Sequence, residues 1–316
     1  MKQPAVVFAY HDVGVRGLEV LLAHGVDVRL VITHKDNPQE NIWFDSVAEL
    51  AQRNHIPVIY PEDPNLPEVI DEISRIAPDW LFSFYYRNML NAELLSIPKK
   101  AALNLHGSLL PDYRGRVPIN WAVLHGENQC GATLHRMEEK PDAGAIIDQQ
   151  AVPILPNDTA FQVFQKVVCA AETVLVRTVP QLLRGDWIET PQELEKGRYF
   201  GGRKPEDGRV DWSAGAWQIH NLVRAVAPPY PPAFFDVDGH RIHLLGSYYR
   251  NEAAIGHKLP RIHWQSNRCY ADCIDGKRFQ VTSLTIDQQP ANEKIFKSTF
   301  GDELFLYKLN QPIGMN

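Results

Sequence analysis

The stretch AVVFAY, residues 5–10, opens the chain with a short apolar run that has the length of a buried strand. A loop with Gly14 and Gly17 follows, then apolar residues at helical spacing through Leu18–Leu22 and a second apolar run, Val28–Thr33. Strands that are apolar on both faces belong to parallel sheets covered by helices, so this order predicts a β-α-β unit.

The same alternation continues over the first half of the chain. It predicts strands at 58–60, 80–84, 102–105, 132–136 and 145–150, and helices at 46–53, 67–76, 91–96, 118–125 and from an Asp158 cap to about Leu183, with an interruption at Pro180. We therefore predict an α/β fold, a Rossmann-like and mostly parallel sheet with helices on both faces.

The sequence changes character after Gly185. Residues 190–207 are rich in proline, glycine and charge without periodicity, which indicates a linker. Beyond a helix predicted from a Ser213 cap to Val226, Asp238-Gly239 and Asp275-Gly276 each separate two short apolar stretches, as in β-hairpins. The predicted organisation is a catalytic domain at 1–189, a linker at 190–207 and a small β-barrel domain at 208–316.

Composition limits the classes of function. The 316 residues include 32 Lys and Arg against 38 Asp and Glu, a net charge of −6, which argues against nucleic-acid binding through many phosphate contacts. The four cysteines form no CxxC pair or Cys/His cluster, so we expect a reducing compartment and no metal. Without a signal-peptide pattern or a long apolar stretch, we expect a cytoplasmic protein with no membrane insertion.

Two common site motifs are missing. The loop after the first strand, Tyr10–Gly17, lacks the GxGxxG pattern, so we expect no NAD or flavin. Ser108 lacks the framing glycines of a nucleophile elbow, so a covalent serine mechanism has no support.

The densest polar chemistry is the string NLHGSLLP, residues 104–111. On a strand ending near Leu105, Asn104 and His106 share one side at the carboxyl edge, where open α/β sheets bind ligands. An imidazole can move a proton near pH 7, and an amide N–H can stabilise a developing oxyanion, which is equipment for acyl transfer to an amine. Asp142 could orient His106. From spacing alone, a loop-capping Asn104, a packing His106 and a turn residue at 142 remain open.

The loop YRGR, residues 113–116, offers two guanidiniums suited to phosphate or carboxylate oxygens. A solvated basic turn is the alternative that this pattern leaves open.

Three separated elements, NLHGSLLP at 104–111, YRGR at 113–116 and DAG at 142–144, resemble the 10-formyltetrahydrofolate-dependent formyltransferase family in the same order. Within it the likeness is greatest to the formyltransferase half of bifunctional polymyxin-resistance proteins, which formylate UDP-4-amino-4-deoxy-L-arabinose for lipid A modification. It extends to VFAYHD at 7–12, THKDNP at 33–38, FSFYYR at 82–87 and TLHRM at 133–137, and the C-terminal part resembles an OB-like barrel.

The resemblance implies that Asn104, His106 and Asp142 are the catalytic group. It also implies that 10-formyltetrahydrofolate, as cosubstrate, is held by two segments and one arginine: Asn88, Met89, Leu90, Arg116, Glu138, Glu139, Lys140, Pro141 and Asp142. We assign Arg114, Tyr113 and His11 to the nucleotide-linked amino sugar. The family likeness leaves a homo-oligomer open, and since no decarboxylase motif is present we expect activity without NAD or a second polypeptide.

Two other functions compete with this interpretation. Methionyl-tRNA formyltransferase combines the same two domains but must hold an RNA, for which the acidic chain is poorly suited. A non-catalytic regulator that binds folate or a nucleotide sugar is the alternative of another class, because a fold does not fix an activity.

Overall fold

The structure is a computed structural model, and it describes residues 3–254 and 259–306. The chain divides into two compact units. One comprises Met1–Pro118, Gln129–Val152 and Phe164–Gly201, and the other comprises Ile119–Asn128, Pro153–Val163 and Gly202–Asn316. The domain boundaries and the linker predicted from the sequence stay a prediction.

The first unit is built on a seven-stranded sheet. The strands up to residue 200 are β1 (Pro4–Ala9), β2 (Asp27–Ile32), β3 (Val58–Ile59), β4 (Trp80–Phe84), β5 (Ala101–His106), β6 (Arg114–Gly115), β7 (Gln129–Arg136), β8 (Ile146–Pro153) and β9 (Tyr199–Phe200). The helices up to residue 184 are α1 (His11–Ala23), α2 (Val47–Arg53), α3 (Pro67–Ile76), α4 (Ala92–Ser96), α5 (Pro118–Leu124) and α6 (Ala160–Arg184).

The strand order of this sheet is β3-β2-β1-β4-β5-β7-β8. The pairs from β3 to β5 are parallel, and β7 joins β5 in the antiparallel sense. Strands β1 and β4 are almost wholly buried, as expected of continuously apolar strands in a covered sheet. The predicted Rossmann-like, mostly parallel sheet is confirmed.

The second unit contains an antiparallel sheet in the order β10-β11-β14-β13-β12-β16. Its elements are α7 (Ala216–Ala225), β10 (Ala233–Val237), β11 (His240–Ala253), β12 (Arg261–Gln265), β13 (Arg268–Asp272), β14 (Lys277–Ile286), β15 (Gln289–Pro290), α8 (Glu293–Phe300) and β16 (Glu303–Phe305). Register shifts between β11 and β14 bend this sheet into a curled half-barrel. Asp238 and Gly239 both have positive φ, 49° and 82°, as a two-residue hairpin turn requires.

Two predicted helix starts differ from the structure. The cap of α6 is Thr159 rather than Asp158, because Thr159 Oγ1 accepts from the Gln162 N–H while Gln162 Oε1 accepts from the Thr159 N–H. Helix α7 begins after Gly215, since the hydroxyl of Ser213 donates to Asp211 instead of capping the helix.

Two further details of the prediction were wrong or incomplete. Pro180 lies inside α6 without ending it; buried residues on both sides, Val174 and Leu182 among them, hold the helix across the missing hydrogen bond. Helix α8 was not predicted, although Asn292 caps it through a 3.0 Å bond from the Ile295 N–H.

Candidate active site

Strands β5 and β7 place four polar side chains on one face of the first sheet. Asn104 and His106 alternate along β5, while Thr133 and His135 alternate along β7. The antiparallel register sets Asn104 opposite His135 and His106 opposite Thr133. Since residues i and i+2 of a strand share a face, the four side chains gather at the carboxyl end of β5.

Asp142 enters this face from the loop between β7 and β8. Its Oδ1 lies 3.5 Å from Nδ1 of His106 and 3.6 Å from Nε2 of His135. Its Oδ2 accepts a 2.8 Å hydrogen bond from the backbone N–H of Gly115. Burial alone would raise the pKa of this carboxyl, but the adjacent His106 and the Gly115 N–H hold the pKa below its usual range. The structure therefore brings Asn104, His106 and Asp142 together on one face, with the carboxylate largely removed from solvent.

Both ring nitrogens of His106 have a partner. Nε2 lies 2.8 Å from the backbone oxygen of Tyr113, and Nδ1 faces Asp142. Because a carbonyl oxygen can only accept, Nε2 carries a proton in this arrangement. For this nitrogen to exchange a proton with a substrate, the ring must first give up its contact with Tyr113.

His135 is a member of this group that the sequence analysis did not single out. Its ring is 2% exposed, with Nδ1 at 2.8 Å from the backbone oxygen of Arg136 and Nε2 at 3.1 Å from Nδ2 of Asn104. The usable signal was the alternation of Thr133 and His135 along a predicted buried strand, which puts two polar groups on one face. What the sequence did not contain was the register that sets them against β5.

The loop after β5 is packed too tightly for larger residues at one point. A Cβ on Gly107 would lie 2.2 Å from the hydroxyl oxygen of Tyr85, well inside van der Waals contact. Thr133 Oγ1 donates to the backbone oxygen of Ser108 at 2.6 Å and accepts from Leu110 N–H at 3.2 Å. Glycine at 107 and threonine at 133 thus fix how the chain leaves the strand that carries His106.

The predicted ligands at 113–116 fall into two groups. Tyr113 is buried, and Arg114 is 8% exposed with its guanidinium directed at the backbone oxygens of Leu194 and Gly197. Arg116 has an exposed side chain. Of these arginines, Arg116 is the one that presents its guanidinium to a solute, whereas Arg114 is engaged in holding the loop.

The two segments predicted to hold the cosubstrate border the same part of the core. Leu90 is 3% exposed within a hydrophobic cluster against which Met137 also packs. On one side, Asn88 donates to the backbone oxygen of Glu62 at 2.9 Å, and Met89 is 55% exposed. On the other, residues 138–140 are exposed.

His11 lies where the strand order reverses, between β1 and β4, the usual ligand position of an open α/β sheet. Its ring stacks on Phe44 with centroids 3.9 Å apart and meets Trp43 and Phe164 edge-on at 4.5 and 4.8 Å. Burial, assisted by the charge of Arg87, lowers the pKa of His11 to about 3. His11 is consequently neutral at physiological pH.

Over residues 3–254 and 259–306, no group of three or more His, Cys, Asp or Glu is arranged to hold a metal ion. The helices in the same part of the chain include none that is long and apolar enough to cross a membrane. All four cysteines are free thiols.

Several solved structures share this fold. An N-formyltransferase from Helicobacter canadensis, in complex with folinic acid and dTDP-3-aminofucose, is 22% identical, with a TM-score of 0.67 over 92% of this chain and 100% of that protein. WlaRD, a sugar 3-N-formyltransferase with dTDP and 5-N-formyl-THF, is 21% identical, with a TM-score of 0.70 over 92% and 99%. A 4-N-formyltransferase from Francisella tularensis is 20% identical, with a TM-score of 0.61 over 76% and 95%.

Two family domains match the sequence itself. The formyl transferase domain matches residues 20–179, and the formyl transferase C-terminal domain matches residues 203–268. The first match takes in β5, β7 and the loop that carries Asp142. With half of the chain matched by the first domain and the second following it in order, the chain belongs to the formyl transferase family and is a formyltransferase.

Proposed function

We propose that this formyltransferase moves the formyl group of 10-formyltetrahydrofolate to the amine of a nucleotide-linked amino sugar, with UDP-4-amino-4-deoxy-L-arabinose as the first acceptor to test. The observation that carries the proposal is the polar face of β5 and β7, where an amide, an imidazole and a carboxylate meet. The solved structures of similar fold support the choice of substrates, because the Helicobacter canadensis protein is bound to a folate and a nucleotide-linked amino sugar.

The reaction needs three tasks that these side chains can perform. The deprotonated amine attacks the formyl carbon, and the carbonyl oxygen becomes negative as that carbon turns tetrahedral. Asn104 donates an N–H to this oxygen, while His106 accepts the proton that the attacking nitrogen releases. The same proton then passes to the departing folate nitrogen as its bond to the formyl carbon breaks, and no acyl-enzyme forms.

Asp142 orients His106 and balances the positive charge that the ring gains. The 3.5 Å separation of Asp142 Oδ1 from Nδ1 is short enough for that role. Because Nε2 rests against the oxygen of Tyr113, we propose that the amine replaces this oxygen when it binds. Once the Tyr113 contact is lost, the neutral ring gives up its Nε2 proton and carries one on Nδ1, donated toward Asp142, so the lone pair of Nε2 accepts the proton of the amine.

The predicted folate residues have chemistry that suits the cosubstrate. The exposed side chain of Met89 provides an apolar contact for a flat ring, and the buried Leu90 anchors this segment in the core. The exposed guanidinium of Arg116 suits the carboxylates of the folate tail.

The charges of the first unit favour a small acceptor over a polyanion. Arg16, Arg87 and Arg136 each form an ion pair with a glutamate, so their charges are already balanced. A nucleotide sugar brings only two phosphates, which requires few additional cations.

One observation favours the alternative, methionyl-tRNA formyltransferase. The half-barrel gathers Arg250, Arg268 and Arg278 beside Tyr248 and Tyr270 around one cavity, where Glu252 pairs with Arg278 at 3.3 Å. Arginines interleaved with aromatic rings also occur on surfaces that bind single-stranded nucleic acid.

The test is formyl transfer by the purified chain with 10-formyltetrahydrofolate and a panel of acceptors at several salt concentrations. The panel contains nucleotide-linked 3-amino and 4-amino sugars and initiator methionyl-tRNA, with the product detected as a mass gain of one CO. We expect transfer to a nucleotide-linked amino sugar, with kcat/KM falling only slightly with salt. Efficient formylation of the tRNA with a steep salt dependence would overturn the proposal, and folate binding without turnover on any acceptor would favour the non-catalytic regulator.

A further inference from the structure

His135 and Asn104 are joined by a hydrogen bond whose direction follows from the tautomer of the His135 ring. The backbone oxygen of Arg136 lies 2.8 Å from Nδ1 of His135, and a carbonyl oxygen can only accept, so Nδ1 carries a proton. The Asp142 Oδ1 lies 3.6 Å from Nε2, farther than the Asn104 amide, and in the neutral ring Nε2 is then the acceptor. The Asn104 atom 3.1 Å away is therefore the amide nitrogen, which donates.

This bond decides how the Asn104 amide is turned. The two ends of an amide have nearly the same shape, so rotation by 180° about the last side-chain bond exchanges its N–H groups for its oxygen. The His135 ring is the hydrogen-bond partner of the Asn104 amide in the part of the chain that the structure describes. Because Nε2 of His135 accepts, it holds the Nδ2 end of the Asn104 amide in place. One of the two Nδ2–H groups is used in this bond, and the other remains for another acceptor.

We infer that His135 is a positioning residue for formyl transfer: by accepting from the Asn104 amide, it holds the remaining Asn104 N–H ready for the oxygen of the formyl group. The inference rests on the proposed function, which makes Asn104 the donor to that oxygen. His135 itself need not touch either substrate, because it acts through Asn104. Its burial supports this role, since a ring that is 2% exposed between two strands has a fixed orientation.

A pair of substitutions separates the hydrogen bond from the packing. His135→Gln keeps an acceptor, Oε1, at about the reach of Nε2, whereas His135→Leu fills a similar volume without one. We expect His135→Leu to lower kcat by about tenfold, the loss associated with one hydrogen bond, with both KM values within about twofold of wild type. His135→Gln should recover most of that loss.

His24→Leu is the matched control for replacing a histidine by leucine. His24 follows the last residue of α1, and that helix of 13 residues begins at His11, so His24 lies about 20 Å from the ligand edge of the sheet. The control should keep the kcat of the wild type. Melting temperatures of all variants identify any loss caused by unfolding.

A double-mutant cycle tests whether His135 acts through Asn104. In the Asn104→Ala background, adding His135→Leu should change kcat by less than about twofold, because the amide to be held is gone. If His135→Leu costs the same factor in both backgrounds, or leaves kcat unchanged in the wild type, the positioning role is wrong.

A second measurement does not depend on turnover. ¹⁵N NMR of histidine-labelled protein should show the Nδ1–H tautomer for His135, with a coupling across the hydrogen bond to the Asn104 amide. The Nε2–H tautomer would overturn the inference even in an active enzyme. Absence of turnover on every acceptor, with the Nδ1–H tautomer present, would instead count against the proposed function alone.

Discussion

Replacing Asp142 by asparagine removes one negative charge from the candidate site with little change of shape. The oxygen of the new amide can still accept from the Gly115 N–H, now 2.8 Å from the carboxylate, so the amide nitrogen turns toward the two histidine rings. The loop keeps its anchor, and the contact at 3.5 Å between Asp142 and His106 loses its charge. Any change in rate then reports on the charge of the carboxylate and on the Nδ1–H tautomer of His106 that it favours, because an amide N–H turned toward Nδ1 donates to it.

The size of the effect follows from the distance. Two unit charges 3.5 Å apart attract by about 5 kcal/mol at an effective dielectric constant of about 20, which suits a side chain that is only 12% exposed. If about half a charge develops on His106 as it accepts the proton of the amine, the loss is about 2 to 3 kcal/mol in the transition state. We therefore expect the loss of charge in Asp142→Asn to lower kcat by about 30- to 160-fold, and the loss of the Nδ1–H tautomer of His106 to lower it further.

The assay is steady-state formyl transfer at saturating folate and acceptor, so that kcat is measured apart from binding. Asp148→Asn is the matched control, because Asp148 is a half-buried carboxylate in the same unit that pairs with Arg177 at 2.8 Å instead of with a histidine. The control should stay within about twofold of wild type. If Asp142→Asn also retained the wild-type kcat, charge balance by Asp142 would play no part in the reaction.

Four further predictions concern the same face and the loop that leaves it. Asn104→Ala should lower kcat by about 10² to 10³ and His106→Ala by about 10² to 10⁴, measured in the same assay; a rise in KM alone would make either a binding residue. Gly107→Ala should impair activity and lower the melting temperature through the clash at 2.2 Å with the Tyr85 hydroxyl, and adding Tyr85→Phe should recover part of both. The pKa of Asp142 is lower in the folded than in the unfolded chain, so its ionised form stabilises the fold above about pH 4. Wild type should therefore have a larger free energy of unfolding than Asp142→Asn above that pH. Urea titrations should show this difference shrinking as the pH falls below about 4.

Local signals in the sequence predict much of the first sheet. Helix α3 begins at Pro67 and ends at Ile76, and β4 spans Trp80–Phe84, as predicted. Both elements have strong local determinants, a proline in the first helical turn in one case and a continuous apolar run in the other. The helix starts at Asp158 and Ser213 were wrong because neighbouring residues compete for the cap, and side-chain hydrogen bonds that the pattern does not rank, such as Ser213 to Asp211, decide among them.

In the candidate site too, local patterns predict some features and tertiary structure determines the others. The shared face of Asn104 and His106 follows from their spacing on a single strand, so local periodicity predicts it. The neighbour of Asn104 across the sheet, His135, depends on the register between β5 and β7, which no local pattern contains. The partner of His106 Nε2 is a backbone oxygen, that of Tyr113, and side-chain types alone cannot reveal such a partner.

The loops that complete the site depend on each other. Asp142 and Tyr113 both have positive φ, 53° and 56°, which non-glycine residues adopt at a cost. The hydrogen bond from the Gly115 N–H to Asp142 joins these two turns. Gly115 has no room for a side chain, because its φ is 97° and a Cβ would lie 2.2 Å from the Phe200 oxygen. A shift of the 113–115 loop would therefore move Tyr113 and Asp142, the two groups that flank His106, at the same time. Because the 113–115 loop contacts both groups, two steps of the proposed reaction are coupled. These are the replacement of the Tyr113 oxygen by the amine at Nε2 of His106 and the orientation of the His106 ring by Asp142.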